Sequence, residues 1–126
     1  MALDKTATNI LNAVTVAATS YSSASTGVDL SNAVDFAIGY QMTFAAGATL
    51  GARIDLFGDP LGATLDFTIG TYADAVDSAD VAADAGHTVQ GVVQLNRSPK
   101  YVKAKVYNLD SVSITACSLW AIPQTP

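Results

Sequence analysis

Apolar and polar residues alternate along most of this chain, with the period of two that is typical of β-strands. The clearest example runs from Val34 to Phe44, where one face consists of Phe36, Ile38, Tyr40, Met42 and Phe44. We expect this stretch to be a central strand that turns that face toward the core. The alternation resumes from Leu50 to Leu56, with Arg53 and Asp55 on the outer face, and the short connection at Ala45–Ala48 predicts a hairpin between the two strands.

The stretch from Tyr101 to Ile122 predicts a second hairpin. Its first strand has an apolar face of Val102, Ala104 and Val106 and an opposite face of Tyr101, Lys103, Lys105 and Tyr107. Asn108–Ser111 supplies the turn, because Asn and Asp tolerate turn conformations. In the second strand one predicted face contains Val112, Ile114, Ala116 and Trp120, and the other contains Thr115, Cys117 and Leu119. We expect Trp120 to anchor the core and Cys117 to be a small core residue.

Four further strands are predicted, at Ile10–Val16, Gly27–Ser31, Leu65–Tyr72 and Thr88–Leu95. Asn96–Lys100 reads as a turn, because Pro99 fixes φ. The acidic stretch from Asp74 to Asp84 is compatible with a short helical turn or with a long polar loop. Its aspartates lack the alternate spacing of an EF-hand loop, so we predict no metal site there. About eight short strands and no long helix predict an all-β fold, a two-layer antiparallel β-sandwich of the jelly-roll type.

A length of 126 residues predicts one domain, with residues 1–27 as an N-terminal arm or first strand and residues 28–126 as the sandwich. Ile10–Val16 fits either a strand of this domain or an arm lying on a neighbouring subunit. Twenty-two residues are alanine, which buries little surface, so the core is built from small units. Association with other copies is therefore an expected source of stability.

The net charge is −5, and all eleven acidic residues are aspartate. Aspartate favours turns and loops, which agrees with a β-protein. The six basic residues are too few and scattered to predict nucleic-acid binding. The N-terminal segment contains no apolar run typical of a signal peptide, and no stretch approaches the length of a membrane span, so we expect synthesis in the cytoplasm and no membrane partner.

No pattern in the chain is typical of catalysis or of cofactor binding. His87 is the only histidine and Cys117 the only cysteine, so a zinc site and an internal disulfide are not expected. The chain lacks the glycine-rich phosphate loops and the nucleophile elbow. We therefore predict a protein that is not an enzyme, without catalytic, cofactor-binding or metal-binding residues and without a cofactor.

The order of the blocks Val28–Ser31, Val34–Phe44, Ala52–Asp59, Ser98–Lys103 and Val106–Asn108 resembles that of the jelly-roll decoration, or cement, proteins of tailed bacteriophage heads. This resemblance implies an oligomeric virion protein that binds and stabilises the capsid surface. Among the oligomers, it favours a trimer. The major capsid protein would be its partner. We expect a subunit or capsid contact on the predicted strand face of Tyr101, Lys103, Lys105 and Tyr107.

A carbohydrate- or receptor-binding sandwich of a phage tail or fibre is the alternative. Such modules stack exposed aromatic rings on sugars. The candidate rings in this sequence are Tyr72, Tyr101 and Tyr107.

Overall fold

The computed structural model describes residues 4–59, 76–95 and 101–126. These residues form nine β-strands: β1 (Asp4–Lys5), β2 (Thr8–Val16), β3 (Val28–Asp29), β4 (Asp35–Phe44), β5 (Ala52–Asp59), β6 (Asp77–Val81), β7 (Thr88–Gln94), β8 (Tyr101–Asn108) and β9 (Ile114–Thr125). Within these ranges no helix is long and apolar enough to cross a membrane. The predicted strand Leu65–Tyr72 and the predicted turn Asn96–Lys100 lie outside the described residues.

The strands form two antiparallel sheets. In sheet A the order is β2-β9-β4-β7, and the short β1 pairs with the far end of β9. In sheet B the order is β3-β8-β5-β6. Consecutive strands switch repeatedly between the sheets, which is the connectivity of an eight-stranded jelly roll. The predicted all-β, two-layer fold is confirmed.

Neither predicted hairpin forms. β4 lies in sheet A between β7 and β9, whereas β5 lies in sheet B between β6 and β8. In the same way, β8 and β9 belong to different sheets. The alternation was informative about which face is buried, but it does not identify the neighbouring strand. Each strand buries its apolar face against the opposite sheet, so a short connection can cross the core as well as reverse within a sheet.

The core lies between the two sheets. The predicted inner faces of β4 and β8 are confirmed: Phe36, Ile38, Met42 and Phe44 are buried in one sheet, and Val102, Ala104 and Val106 in the other. Cys117 is also fully buried, as predicted. β2 pairs with β9 of its own chain along most of its length.

A bulge in β9 overturns the predicted position of Trp120. Ala116 has a positive φ of 49°, and the register between β4 and β9 shifts at this point. A one-residue shift moves every later side chain to the other face. Cys117 and Leu119 therefore point into the core, whereas Trp120 is half-exposed on the outer face of sheet A.

Residues 77–81 are neither helix nor loop, so both alternatives for the acidic stretch are wrong in this part. β6 pairs with β5 from Asp77 to Val81. Ala79 and Val81 lie opposite Ile54 and Ala52 on the inner face, whereas Ser78 and Asp80 point outward. The three-residue spacing of the aspartates concealed this period of two.

Candidate interaction surfaces

The predicted contact residues Tyr101, Lys103, Lys105 and Tyr107 lie together on the outer face of β8, where all four are half-buried. Three of them are covered in part by their own chain. Tyr107 packs edge-on against Tyr21, with ring centroids 4.8 Å apart, and the Lys105 ammonium lies 5.6 Å from the Tyr21 ring centroid. The Tyr101 ring lies against Gly27, where a Cβ would overlap it. The role of these four residues as a subunit or capsid contact stays a prediction.

A buried ion pair lies beneath this face. Asp55 is fully buried, and the Arg53 guanidinium donates to both of its carboxylate oxygens at 2.7 and 3.0 Å. The Tyr21 hydroxyl donates to Asp55 at 2.6 Å, and the Arg53 guanidinium stacks 5.0 Å from the Tyr107 ring centroid. The sequence predicted that Arg53 and Asp55 lie on the outer face, and both side chains do lie on that face. It did not predict that Tyr21, 32 residues before Arg53, covers them.

The contacts within this cluster raise the pKa values of Tyr21 and Arg53. Burial and the hydrogen bond to Asp55 raise the pKa of Tyr21, so its hydroxyl keeps its proton. The hydrogen bond to Asp55 raises the pKa of Arg53 as well, so the guanidinium stays charged. With both partners present, the buried carboxylate is satisfied by three donors. The cluster ties the Tyr21 segment to sheet B.

The segment around Ser22 and Ser25 closes the outer edge of β8. Ser22 donates its backbone N–H to the Val106 carbonyl at 2.7 Å, and its Oγ accepts the Val106 N–H at 2.9 Å. Ser25 repeats both bonds with Ala104, at 2.8 and 2.9 Å. The serine hydroxyls therefore replace the carbonyls that a regular strand would offer. Both serines are buried, at 6% and 3% exposure, so this edge of sheet B is protected.

Asp110 holds one end of the sandwich together. Its buried carboxylate accepts the backbone N–H groups of Thr49, Leu50 and Gly51, each at 2.8 Å. Burial raises the pKa of Asp110, but these donors outweigh burial and hold the pKa below its usual value. The neighbouring Asn108 side chain donates to the Val16 and Val112 carbonyls and accepts the Asp110 N–H. The predicted turn is thus a polar junction between three segments.

The outer face of sheet A has a shallow groove, which we call the Trp120 groove. It consists of two adjoining depressions of about 300 and 490 Å³ that share Val92 and Ile122. Its polar rim includes the side chains of Gln41, Gln90, Gln94 and Gln124, which are all the glutamines of the chain. Sequence reasoning missed this site because it assigned Trp120 to the core.

β7 forms one edge of sheet A. It pairs with β4 over seven residues, from Thr88 to Gln94, and on its other side it has no backbone partner in the described part of the chain. Its sequence, TVQGVVQ, contains neither a charged residue nor proline. Val92 is 64% exposed on the outer face. β7 therefore presents an uncharged row of backbone donors and acceptors.

The residues with nucleophilic or metal-binding chemistry are dispersed. His87 Nδ1 lies 2.9 Å from the Asp84 carboxylate, and both side chains are more than half exposed. Burial raises the pKa of the Cys117 thiol to about 12. Among the residues that the structure describes, no three carboxylate, imidazole or thiol groups gather as a metal site. Tyr72, one of the candidate sugar-stacking rings, lies outside the described residues.

Comparison with known proteins gives a likeness to solved structures. No protein-family model and no curated protein matches the chain. A solved structure from Bacillus endospore appendages, described as a novel family of disulfide-linked pili, is 15% identical over 98% of this chain and 92% of that chain, with a TM-score of 0.48. A likeness of this extent carries no conclusion about the activity or partners of this chain.

Proposed function

We propose that this chain is a non-enzymatic structural protein of a virion that binds the capsid surface as an oligomeric decoration protein, with the major capsid protein as partner. The observation that carries the proposal is the outer edge of β7, which no strand among the described residues covers. Jelly rolls occur in viral capsid proteins and in lectins, and this fold alone does not choose between them. The β7 edge is therefore the feature that favours association with another chain.

Both edges of sheet B are protected in ways that natural β-proteins use against unwanted pairing. The β8 edge is covered by the short β3 and by Ser22 and Ser25. The β6 edge carries Asp77 and Asp80. β7 has no such protection in its own sequence, although an unpaired row of N–H and C=O groups is a template for another strand. An edge strand without charged residues or proline, which no described strand pairs on its outer side, is expected of a subunit that pairs with a neighbour.

Two arrangements of copies are possible at this edge. A two-fold axis at Gly91 would pair β7 with β7 of a second copy in antiparallel register, which places Gln90 opposite Val92 of that copy. The trimer that the resemblance implies would instead pair β7 with a different edge of the next copy, because a three-fold axis requires a heterologous contact. Light scattering distinguishes them, since the mass would be two or three times 12.9 kDa.

Charge substitutions on β7 test the edge directly. In the two-fold arrangement, the double variant Gln90→Lys/Val92→Lys sets lysines opposite lysines and should give monomers, because like charges on opposed strands are destabilising. Gln90→Lys/Val92→Asp sets lysine opposite aspartate and should restore the dimer. If both variants dissociate the oligomer, the heterologous arrangement is favoured. If neither changes its mass, β7 is not the contact.

The capsid part of the proposal needs a separate measurement. A decoration protein should co-purify with virions in a fixed ratio to the major capsid protein, and it should be released by treatments that leave the capsid intact. A chain absent from purified virions would contradict this role even if it forms oligomers. The predicted contact face on β8 is tested in the same assay by Lys103→Glu/Lys105→Glu, which should lower the bound ratio without unfolding the domain.

A further inference from the structure

We propose that the Trp120 groove binds a neutral oligosaccharide. This role goes beyond capsid decoration and does not depend on it. The groove contains the only tryptophan of the chain and all four of its glutamines. A sequence of 126 residues has thus placed its largest aromatic ring and its complete set of glutamine amides on one face of one sheet.

The floor of the groove suits a sugar ring. Trp120 lies opposite Gly39 on β4, and Ile122 lies opposite Ala37. Because Gly39 has no side chain, the space beside the Trp120 ring stays open. A sugar offers an apolar C–H surface that packs on apolar and aromatic side chains, and the two depressions are comparable in volume to small ligand sites.

The rim suits sugar hydroxyls. Gln41, Gln90 and Gln94 are exposed, and their side-chain amides form no hydrogen bond with other described residues. An amide offers both donors and an acceptor, as a hydroxyl does, so the two can pair in either direction. A protein surface that excludes water from the groove would leave these amides buried without hydrogen bonds, at a cost of about 1–3 kcal/mol each. The rim therefore favours a ligand rich in hydroxyls over an apolar protein surface.

The charge of the groove favours a neutral glycan. Of its lining residues only Lys5 and Asp35 are charged, and they have opposite signs at the same end. The chain as a whole has a net charge of −5, which repels acidic glycans. Sialylated or uronate-rich saccharides are therefore expected to bind less well than neutral ones.

Because Trp120 is the only tryptophan, its fluorescence reports on the groove alone. Titration of the intact chain with cellohexaose, maltohexaose and chitohexaose should give a saturable change with at least one of them. Gly39→Val should abolish this change, since its side chain fills the floor. At Gly39 an added Cβ would lie 3.4 Å from the Ile122 Cδ1 and 3.7 Å from the Trp120 Cβ, which are ordinary contacts, so we expect this variant to fold.

Two further variants separate binding from folding. Gln41→Ala removes one exposed amide and should weaken binding up to about tenfold, the value of one hydrogen bond. Leu50→Ala removes an exposed apolar side chain in a distant loop and should leave binding unchanged. Trp120→Ala, which removes the reporter, is compared with the wild type on an array of neutral and acidic glycans and should bind none.

Several results would overturn the proposal. A wild-type chain that binds no saccharide in the titration or on the array has no glycan site. Saturable binding that survives Gly39→Val would place the sugar elsewhere, and a preference for acidic glycans would refute the neutral class. A fluorescence change that depends on protein concentration alone would identify the groove as an interface between copies. None of these results bears on co-purification with virions, so the two proposals fail separately.

Discussion

Replacing Asp110 by asparagine should lower the free energy of unfolding by about 2–4 kcal/mol. The carboxylate accepts three backbone N–H groups, with Thr49 and Leu50 on one oxygen and Gly51 on the other. An asparagine in the same rotamer points its NH₂ group at the Gly51 N–H, which leaves a buried donor unpaired at a cost of about 1–3 kcal/mol. The two remaining bonds lose the charge of their acceptor, about 1 kcal/mol each. Relief of the desolvation of a buried charge offsets part of the sum.

Urea unfolding measures this loss. With a slope of about 1–3 kcal/mol per M, the midpoint should fall by roughly 1–2 M. Asp84→Asn is the matched control, because it removes the same charge from a side chain that is 58% exposed, and it should change the midpoint little. An unchanged midpoint in Asp110→Asn would refute the reasoning.

The pH dependence gives a second check on Asp110. Its pKa is lowered in the folded chain, so its contribution is complete above the unfolded pKa of about 4 and is lost as the pH falls through the folded pKa. The wild type and Asp110→Asn should therefore converge in stability below about pH 4. A constant difference between them down to acidic pH would show that the carboxylate is not the source of the effect.

Two further predictions concern single residues. Ala116→Gly should raise the free energy of unfolding by about 0.5–1 kcal/mol, measured by thermal or urea unfolding, because alanine is strained at a φ of 49°. The control Ala37→Gly, in the regular part of β4, should lower the free energy of unfolding. If both variants are less stable than the wild type, Ala116 is not strained. The Cys117 thiol should react with Ellman's reagent at neutral pH only as fast as the domain unfolds, because burial raises the pKa of this thiol to about 12. A reaction complete within seconds in the native state would contradict the burial of Cys117.

The sequence predicted the fold class and the faces of the strands where the alternation is regular. In β4 and β8 every second residue is apolar, so the inner faces could be assigned from the pattern. Strand partners could not be assigned in this way. The connections after β4 and β8 are short enough for a hairpin, but both cross between the sheets. The buried Asp110 that organises this end depends on donors about 60 residues away in sequence.

The candidate surfaces were only partly predictable. Tyr101, Lys103, Lys105 and Tyr107 were correctly placed on one face, because β8 alternates without interruption. The cover over that face was not predictable, because Tyr21 and the two edge serines, Ser22 and Ser25, reach it from a segment without strand periodicity. A serine-rich segment of low hydropathy reads as a loop, since hydroxyls that replace carbonyls leave no periodic pattern.

The position of Trp120 on the outer face depends on Ala116, a residue that does not itself line the groove. A continuous period of two puts Trp120 on the same face as Ile114, which is fully buried. The bulge at Ala116 adds one residue to β9, and the face of every later residue is reversed. The tryptophan is then outside, above Gly39, where the absence of a side chain on β4 leaves room beside it. The groove therefore depends on two of the smallest residues in the chain, one that turns the ring outward and one that keeps its neighbourhood open.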